Sequence, residues 1–153
     1  MEKKIAKGYD GYKKINGRKR HLLVDTLGLI LSVHVGPAND QDRDILDVLC
    51  SKIKGLYPRM ERIFGDSGYQ GRENKTVLNH GWLLSISKRP LKKKGEKGVF
   101  QVVPKRWIVE RTFAWLGAFR RLSVDRETHP KTSEAFIILA NISLALNKIS
   151  PAL

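Results

Sequence analysis

Cysteine is nearly absent from this sequence, and so are long apolar runs. Cys50 is the single cysteine among 153 residues, so no disulfide can form within the chain. Such cysteine usage is typical of a reducing compartment, and we expect a cytoplasmic protein. No apolar run approaches the length of a transmembrane helix. The N-terminal segment MEKKIAKG carries charges but lacks the apolar stretch of a secretory signal, so we expect no membrane association.

Acidic residues are also scarce. The chain has 15 Asp and Glu residues against 29 Lys and Arg residues, which gives a formal net charge of +14. Self-repulsion of this kind destabilises a compact fold, so a polyanionic partner explains the charge better than a solubilising surface does. The sequence therefore predicts a nucleic-acid-binding protein.

Sequence features of several other kinds of site are missing. The 4 histidines show no spacing to one another, or to Cys50, that is typical of a zinc site. Cys50 lies in an apolar helical run, and we interpret it as a small core residue. No glycine-rich phosphate loop of the Walker type is present.

Apolar periodicity predicts one α/β domain that covers residues 1–153, with a basic arm at residues 1–20. Two strands at 21–24 and 29–35 should form an antiparallel hairpin around a turn at 25–28. The final helix is so apolar that it should pack on the sheet, on the preceding helix or on another subunit. Further along, the pattern predicts a helix capped by Asn39 or Asp40, a strand at 63–64, a helix at 71–80, a strand at 82–86, a helix at about 105–119 and a last helix from Thr132 or Ser133.

Basic residues are concentrated in the N-terminal arm, in the segment 88–97 and around the helix at 105–119. These are the places where a phosphate backbone is expected to bind. The candidate DNA-binding residues are Lys19, Arg20, Lys88, Arg89, Lys92, Lys93, Lys94, Arg106, Arg111, Arg120 and Arg121. Trp107 and Trp115 are interpreted as core residues rather than as platforms for base stacking.

Two carboxylates stand out as candidate metal ligands. Asp66 follows a short apolar strand, and Glu110 lies among arginines on a predicted helix. Polar side chains that follow strands collect at the carboxyl edge of an open α/β sheet, and a helix can bring a further carboxylate to that edge. Carboxylates that hold two Mg²⁺ ions suit the cleavage or transfer of a phosphodiester.

Simpler roles compete for the same carboxylates. Asp66 could open an Asp-Ser-Gly turn, and Glu110 could form an i, i+4 surface pair with Arg106. Asp25 competes as a third carboxylate, but its Asp-Thr-Leu-Gly context favours a hairpin turn. Asp40, Asp42 and Asp44 are better explained as residues at the start of a helix.

The ordered set of segments resembles the DDE transposases of bacterial insertion sequences over nearly the whole chain. These segments are GRKRHLLVDTLG (17–28), PANDQDRD (37–44), DSGY (66–69) and RWIVERTFAWLGAFRRL (106–122). The order of predicted elements also matches a ribonuclease-H-like mixed sheet flanked by helices that lacks its first strand. The resemblance implies a catalytic domain in which three acids bind Mg²⁺ (or Mn²⁺) and drive DNA strand cleavage and transfer.

The resemblance assigns roles to particular residues. Asp66 matches the second Asp of the family, Glu110 the family Glu, and Arg106 the Arg of the Tyr-Arg-Glu-Lys signature. Val103 stands in place of the signature Tyr and Gly117 in place of the Lys. Arg120 or Arg121 could substitute for that missing charge.

The first Asp of the family has no counterpart here. It precedes the segment seen here as GYDG (8–11), and Glu2 is the one acid before Gly8. Asp10 and Asp25 do not lie on the expected strand. We therefore expect a C-terminal portion of a transposase, either a second reading frame or a remnant. It would act on insertion-sequence ends together with a second copy or an upstream transposase half, or it would be an inactive DNA-binding protein or inhibitor of the full-length enzyme. The missing first strand would leave an open sheet edge.

Overall fold

The computed structural model of the chain describes residues 7–11, 14–87 and 105–150. Strands and helices alternate over much of this range, so the predicted α/β class is confirmed. In chain order the elements are β1 (Gly8–Asp10), β2 (Ile15–Val24), β3 (Ile30–Pro37), α1 (Asp42–Lys52), β4 (Arg62–Gly65), a 3-10 turn (Ser67–Tyr69), α2 (Glu73–His80), β5 (Leu83–Ile86), α3 (Arg106–Ala118) and α4 (Pro130–Ile149).

The predicted hairpin is formed by β2 and β3, which pair antiparallel with His21 opposite His34. Asp25 Oδ1 accepts hydrogen bonds from the backbone N–H groups of Leu27 and Leu29, both at 2.8 Å. Asp25 is therefore a turn residue, as its sequence context predicts. Strand β2 begins at Ile15, earlier than predicted, so part of the predicted basic arm belongs to a strand.

The strands form two sheets rather than one mixed sheet. Strands β1, β2 and β3 make an antiparallel sheet in that order, and β4 pairs with β5 in a separate parallel sheet. Within the described ranges no strand connects the two sheets. The predicted single sheet is thus split into two sheets, and the break falls between β2 and β4.

Helices cover both faces of the antiparallel sheet. Leu22 and Leu23 are neighbours on β2, so their side chains point to opposite faces. Leu22 packs against a cluster that includes Val35 and the helical residues Leu116 and Ile137. Leu23 packs against a second cluster, which joins α1 to the parallel sheet through Leu46, Cys50, Ile63, Trp82 and Leu84. Cys50 is fully buried, so its predicted core position is confirmed.

Two helix starts differ from the predictions. The residue before α1 is Gln41, which makes no side-chain cap, although Asp42 and Asp44 lie in the first turn as predicted. The prediction that Asn39 or Asp40 caps α1 was wrong, because the backbone N–H of Asp40 donates to the Pro37 carbonyl and closes a turn before the helix. Helix α4 begins at Pro130, since proline suits the first turn of a helix.

Helix α4 buries part of its apolar surface, including Ile137 and Ala140, against the antiparallel sheet and α3. Ile138, Ile142 and Leu146 remain exposed on its other side. No helix in the described part of the chain combines the length and apolar composition needed to cross a membrane. The predicted basic segment 88–97 lies outside the described residues.

Candidate functional site

Asp66 directly follows β4, as predicted. Along this strand Ile63 is buried and Phe64 is exposed, and Asp66 itself is exposed. Its Oδ1 atom accepts a hydrogen bond from the backbone N–H of Gly68 at 2.9 Å, which caps the 3-10 turn. Asp66 therefore has the turn role that its Asp-Ser-Gly context predicted, and the turn fixes the orientation of a carboxylate that is open to solvent.

Glu110 lies in the first half of α3 and is also exposed. Arg106 Nε donates to Glu110 Oε1 at 3.0 Å, so the predicted i, i+4 pair is present. An exposed helical pair of this kind contributes only about 0.2–0.5 kcal/mol. Such a pair is weak enough for a metal ion or a phosphate to compete with it.

Helix α3 is fixed to the hairpin turn by the two residues that follow Glu110. Arg111 Nη2 donates to the carbonyl of Leu27 at 2.9 Å, and Thr112 Oγ1 donates to the carbonyl of Gly28 at 2.7 Å. Thr112 is fully buried. These bonds place the helix that carries Glu110 relative to the antiparallel sheet.

A second contact connects the start of α3 to β4. Lys105, the residue before α3, places its Nζ atom 3.9 Å from the ring centroid of Phe64. Phe64 is two residues before Asp66 in the chain. The contact therefore brings the helix that carries Glu110 to the strand that leads to Asp66.

Trp107 was wrongly predicted to be a core residue, because its side chain is 49% exposed. The Arg111 guanidinium stacks between two indoles, 4.5 Å from the Trp107 ring and 4.6 Å from the Trp115 ring. The i, i+4, i+8 spacing of these residues could have revealed this arrangement from the sequence. Held in this way, Arg111 has a structural role.

The other candidate DNA-binding residues differ in whether their charged groups already bond to other parts of the protein. Arg20 Nη1 donates to the carbonyl of Leu122 at 2.6 Å, and Lys19 Nζ lies 3.1 Å from Asp42 Oδ1. Arg121 pairs with Glu127 at 2.8 Å, whereas Arg120 is exposed. Lys88, Arg89, Lys92, Lys93 and Lys94 lie outside the described residues.

An open cleft of about 540 Å³ lies beside the Asp66 turn, and the sequence analysis missed it. Its lining includes three acids, Asp10, Asp40 and Asp42, two cations, Lys19 and Arg43, and Gly68 of the turn. The pKa of the neighbouring Tyr69 hydroxyl is raised, first by burial and then by the negative charges of Asp42 and Asp66. Asp42 and Asp66 thus act on the same phenol, although they lie far apart in sequence.

The residues described by the structure offer Asp66 and Glu110 as solvent-accessible oxygen ligands. Among these residues no group of three or more His, Cys, Asp or Glu side chains is gathered closely enough to hold a metal ion. Mg²⁺ is commonly bound by one or two carboxylates together with waters and substrate phosphates, so a pair of carboxylates is enough to contribute to such a site.

Comparisons with known proteins identify the family. Residues 2–147 match the family model described as "Transposase DDE domain". The chain is 30% identical over 145 residues to the "Putative transposase for insertion sequence element IS402" of Burkholderia cepacia, a match that covers 89% of this chain and 66% of that protein. The chain thus spans just under two thirds of the length of this curated relative. No solved structure matches. The chain belongs to the DDE transposase family of insertion sequences.

Proposed function

We propose that this chain forms part of a transposase that cuts and joins DNA at insertion-sequence ends in the bacterial cytoplasm. Asp66 and Glu110 are two of its metal-binding carboxylates, and the surrounding fold is ribonuclease-H-like. The observation that carries the proposal is the Lys105–Phe64 contact, which joins the helix of Glu110 to the strand that leads to Asp66. Both carboxylates are exposed, so DNA can reach them.

A divalent ion such as Mg²⁺ or Mn²⁺, when bound, would activate the attacking water or hydroxyl and neutralise the leaving oxygen. Asp66 is suited to hold such an ion because the Gly68 N–H fixes one of its oxygens. Glu110 would hold the same ion from α3, the helix whose preceding residue Lys105 contacts β4. Two carboxylates can hold Mg²⁺ when phosphate oxygens and waters complete its coordination. The chain associates with a second copy or with an upstream transposase half.

The DNA backbone is bound by cations around the carboxylates. Arg106 lies one turn before Glu110, so its guanidinium can exchange the carboxylate for a phosphate oxygen. Arg120 is exposed just after α3, and the sequence of the segment 88–97 supplies further Lys and Arg residues. DNA binding of this kind weakens steeply as salt is added.

The proposal is tested by nicking of supercoiled plasmid DNA in the presence of Mg²⁺ or Mn²⁺. The variants are Asp66→Asn and Glu110→Gln, and Glu61→Gln is a matched control because Glu61 is an exposed acid before β4. We expect metal-dependent nicking that both site variants abolish and the control retains. Nicking that survives in both site variants would refute the assignment.

A second candidate function is a catalytically inactive DNA-binding remnant or an inhibitor of the full-length transposase. It is favoured by the absence of a three-ligand cluster among the described residues. In that case the same assay shows no nicking, while salt-sensitive DNA binding is equal in all variants. Failure to bind DNA at moderate salt would contradict both functions.

A further inference from the structure

The segment between α3 and α4, residues 119–129, turns its acids inward and its cations outward. Asp125 and Glu127 are its two acids, and their side chains are only 17% and 15% exposed. Arg126, which lies between them in the sequence, is exposed. The segment therefore presents positive charge to solvent while its negative charges are turned toward the protein.

A buried arginine of β2 holds this segment in place. Arg18 Nε lies 2.9 Å from Asp125 Oδ2, and the Arg18 side chain is 6% exposed. The same guanidinium donates to the backbone carbonyls of Glu127 and Thr128. Because one buried side chain bonds to three residues of the segment, the backbone that carries Arg126 is fixed. A surface that is ordered beforehand loses less conformational freedom when it binds a partner.

The start of α4 belongs to the same surface. Ser133 Oγ donates to Asp125 Oδ1 at 2.6 Å, so the first turn of α4 lies beside the residue that precedes Arg126. Lys131 is exposed in that turn. A cation near the start of a helix opposes the helix dipole, so helix stability does not account for Lys131. Arg126 and Lys131 thus define one positively charged surface, the Arg126–Lys131 surface.

This surface and the cleft beside the Asp66 turn lie on opposite sides of the antiparallel sheet. Lys19 and Arg20 are neighbours on β2, so their side chains point to opposite faces. Lys19 pairs with Asp42 and lines the cleft. Arg20 instead donates to the carbonyl of Leu122, in the segment that leads to Arg126. A partner of the Arg126–Lys131 surface therefore binds outside the cleft.

The same surface is also remote from Glu110. Thr112, two residues after Glu110, bonds to the Gly28 carbonyl in the turn that follows β2, whereas Asp125 meets Arg18 near the start of β2. From Arg18 to the end of β2 the strand rises by about 20 Å. Phosphates of one DNA strand follow each other every 3.4 Å or so along a duplex, so this separation spans roughly six of them.

We propose that the Arg126–Lys131 surface binds the phosphate backbone of duplex DNA at a place separate from Asp66 and Glu110. The inference rests on the proposed function, which supplies DNA as the partner, and it extends the DNA contact beyond the cations around the carboxylates. Arginine binds a phosphate through two parallel hydrogen bonds, and lysine binds it as a point charge. Backbone contacts carry no sequence information, so this surface positions the duplex rather than selecting a sequence.

The test is the salt dependence of binding to a fluorescein-labelled DNA duplex of arbitrary sequence, measured by anisotropy in the presence of EDTA. The variant carries Arg126→Gln together with Lys131→Gln. Each lost phosphate contact lowers the slope of log affinity against log salt concentration by about 0.9, so we expect a fall of about 1.8. Between about 50 and 200 mM salt the unaltered chain should therefore lose roughly 12-fold more affinity than the variant.

The matched control carries Lys54→Gln together with Arg59→Gln. Both residues are exposed and lie between α1 and β4. The control has the same net charge as the variant, so the difference between their slopes measures local contacts rather than the overall charge of the chain. We expect the control to keep a slope close to that of the unaltered chain.

Two outcomes would overturn the inference. The first is an equal slope in the variant and the unaltered chain, and the second is an equal fall of the slope in the control. Either outcome can occur while metal-dependent nicking by Asp66 and Glu110 persists, because the binding assay uses neither metal nor these carboxylates. Failure of this inference is therefore distinct from failure of the proposed function.

Discussion

Replacement of Gly28 by alanine should loosen the attachment of α3 to the hairpin. Gly28 has a φ of +84°, in the left-handed region that favours glycine. A Cβ atom there would lie 2.9 Å from Thr112 Oγ1, 3.0 Å from the Trp115 ring and 3.2 Å from Arg111 Nη2. All three neighbours belong to α3, so the strain acts directly on the helix that carries Glu110.

Two effects add to the cost of Gly28→Ala. Placing alanine in a left-handed conformation costs roughly 1–2 kcal/mol. Crowding of a packed contact costs roughly 1–3 kcal/mol. We therefore expect the free energy of unfolding to fall by about 2–5 kcal/mol in total. In a chain of this size each kcal/mol lowers Tm by about 2–4 °C.

Gly55→Ala is the matched control. Gly55 has a φ of +82°, and a Cβ atom there would meet nothing within 4 Å. The control should therefore show the backbone cost without the crowding. Urea unfolding of both variants measures the difference, which we expect to be roughly 1–3 kcal/mol. Equal losses of stability in the two variants would refute the reasoning that Gly28 is required by the packing of α3.

Three further predictions concern titratable groups. Burial raises the pKa of the Cys50 thiol to about 11, so a thiol reagent at mildly alkaline pH should react with Cys50 only as the chain unfolds. Labelling at the rate of an exposed cysteine would contradict the buried position of Cys50. Hydrogen bonds from His80 and Asn79 lower the pKa of Asp47 below 3.8, so its carboxylate stabilises the fold above that value and the stabilisation is lost as the pH falls through the lower folded-state pKa. Urea titrations should therefore show a shallower acid loss of stability in Asp47→Asn, and an unaltered slope would rule this out. Burial lowers the pKa of His21 below 6.5 despite the nearby Asp42, so stability should decrease as the pH falls below 6.5; His21→Gln should remove this decrease, and an identical pH profile would show the idea to be wrong.

Local chemistry explains what the sequence predicted well. Asp25 and Gly28 defined the hairpin turn because a short acidic side chain and a residue with positive φ are what such a turn requires. Apolar spacing along α1 placed Cys50 on the buried side of this helix, because helical periodicity depends on residues that are close in sequence. The turn at Asp66 and the Arg106–Glu110 pair are local for the same reason.

Contacts between distant residues explain what the sequence did not predict. Trp107 is apolar and was expected in the core, but the core side of α3 is occupied by Ile108, Thr112 and Leu116. The buried Thr112 reads as a polar surface residue until its bond to the Gly28 carbonyl is known. The sequence also did not predict that Asp42 and Asp66 both raise the pKa of Tyr69, because the two carboxylates approach Tyr69 only in the folded chain.

Side chains of α4 bond to the backbone groups of β3 that face away from β2, and they thereby protect this edge of the hairpin from pairing with other strands. During synthesis this protection comes late. Val35 receives its partner Glu134 from 99 residues further along the chain, and Ile30 receives Asn141 from 111 residues further along. A ribosome adds about 5–20 residues per second, so the hairpin waits roughly 5–20 s before α4 can reach it. During that interval an unprotected strand edge is available to other nascent chains. Nascent chains that end before α4 should therefore bind chaperones or aggregate, whereas the complete chain withdraws this edge from further pairing.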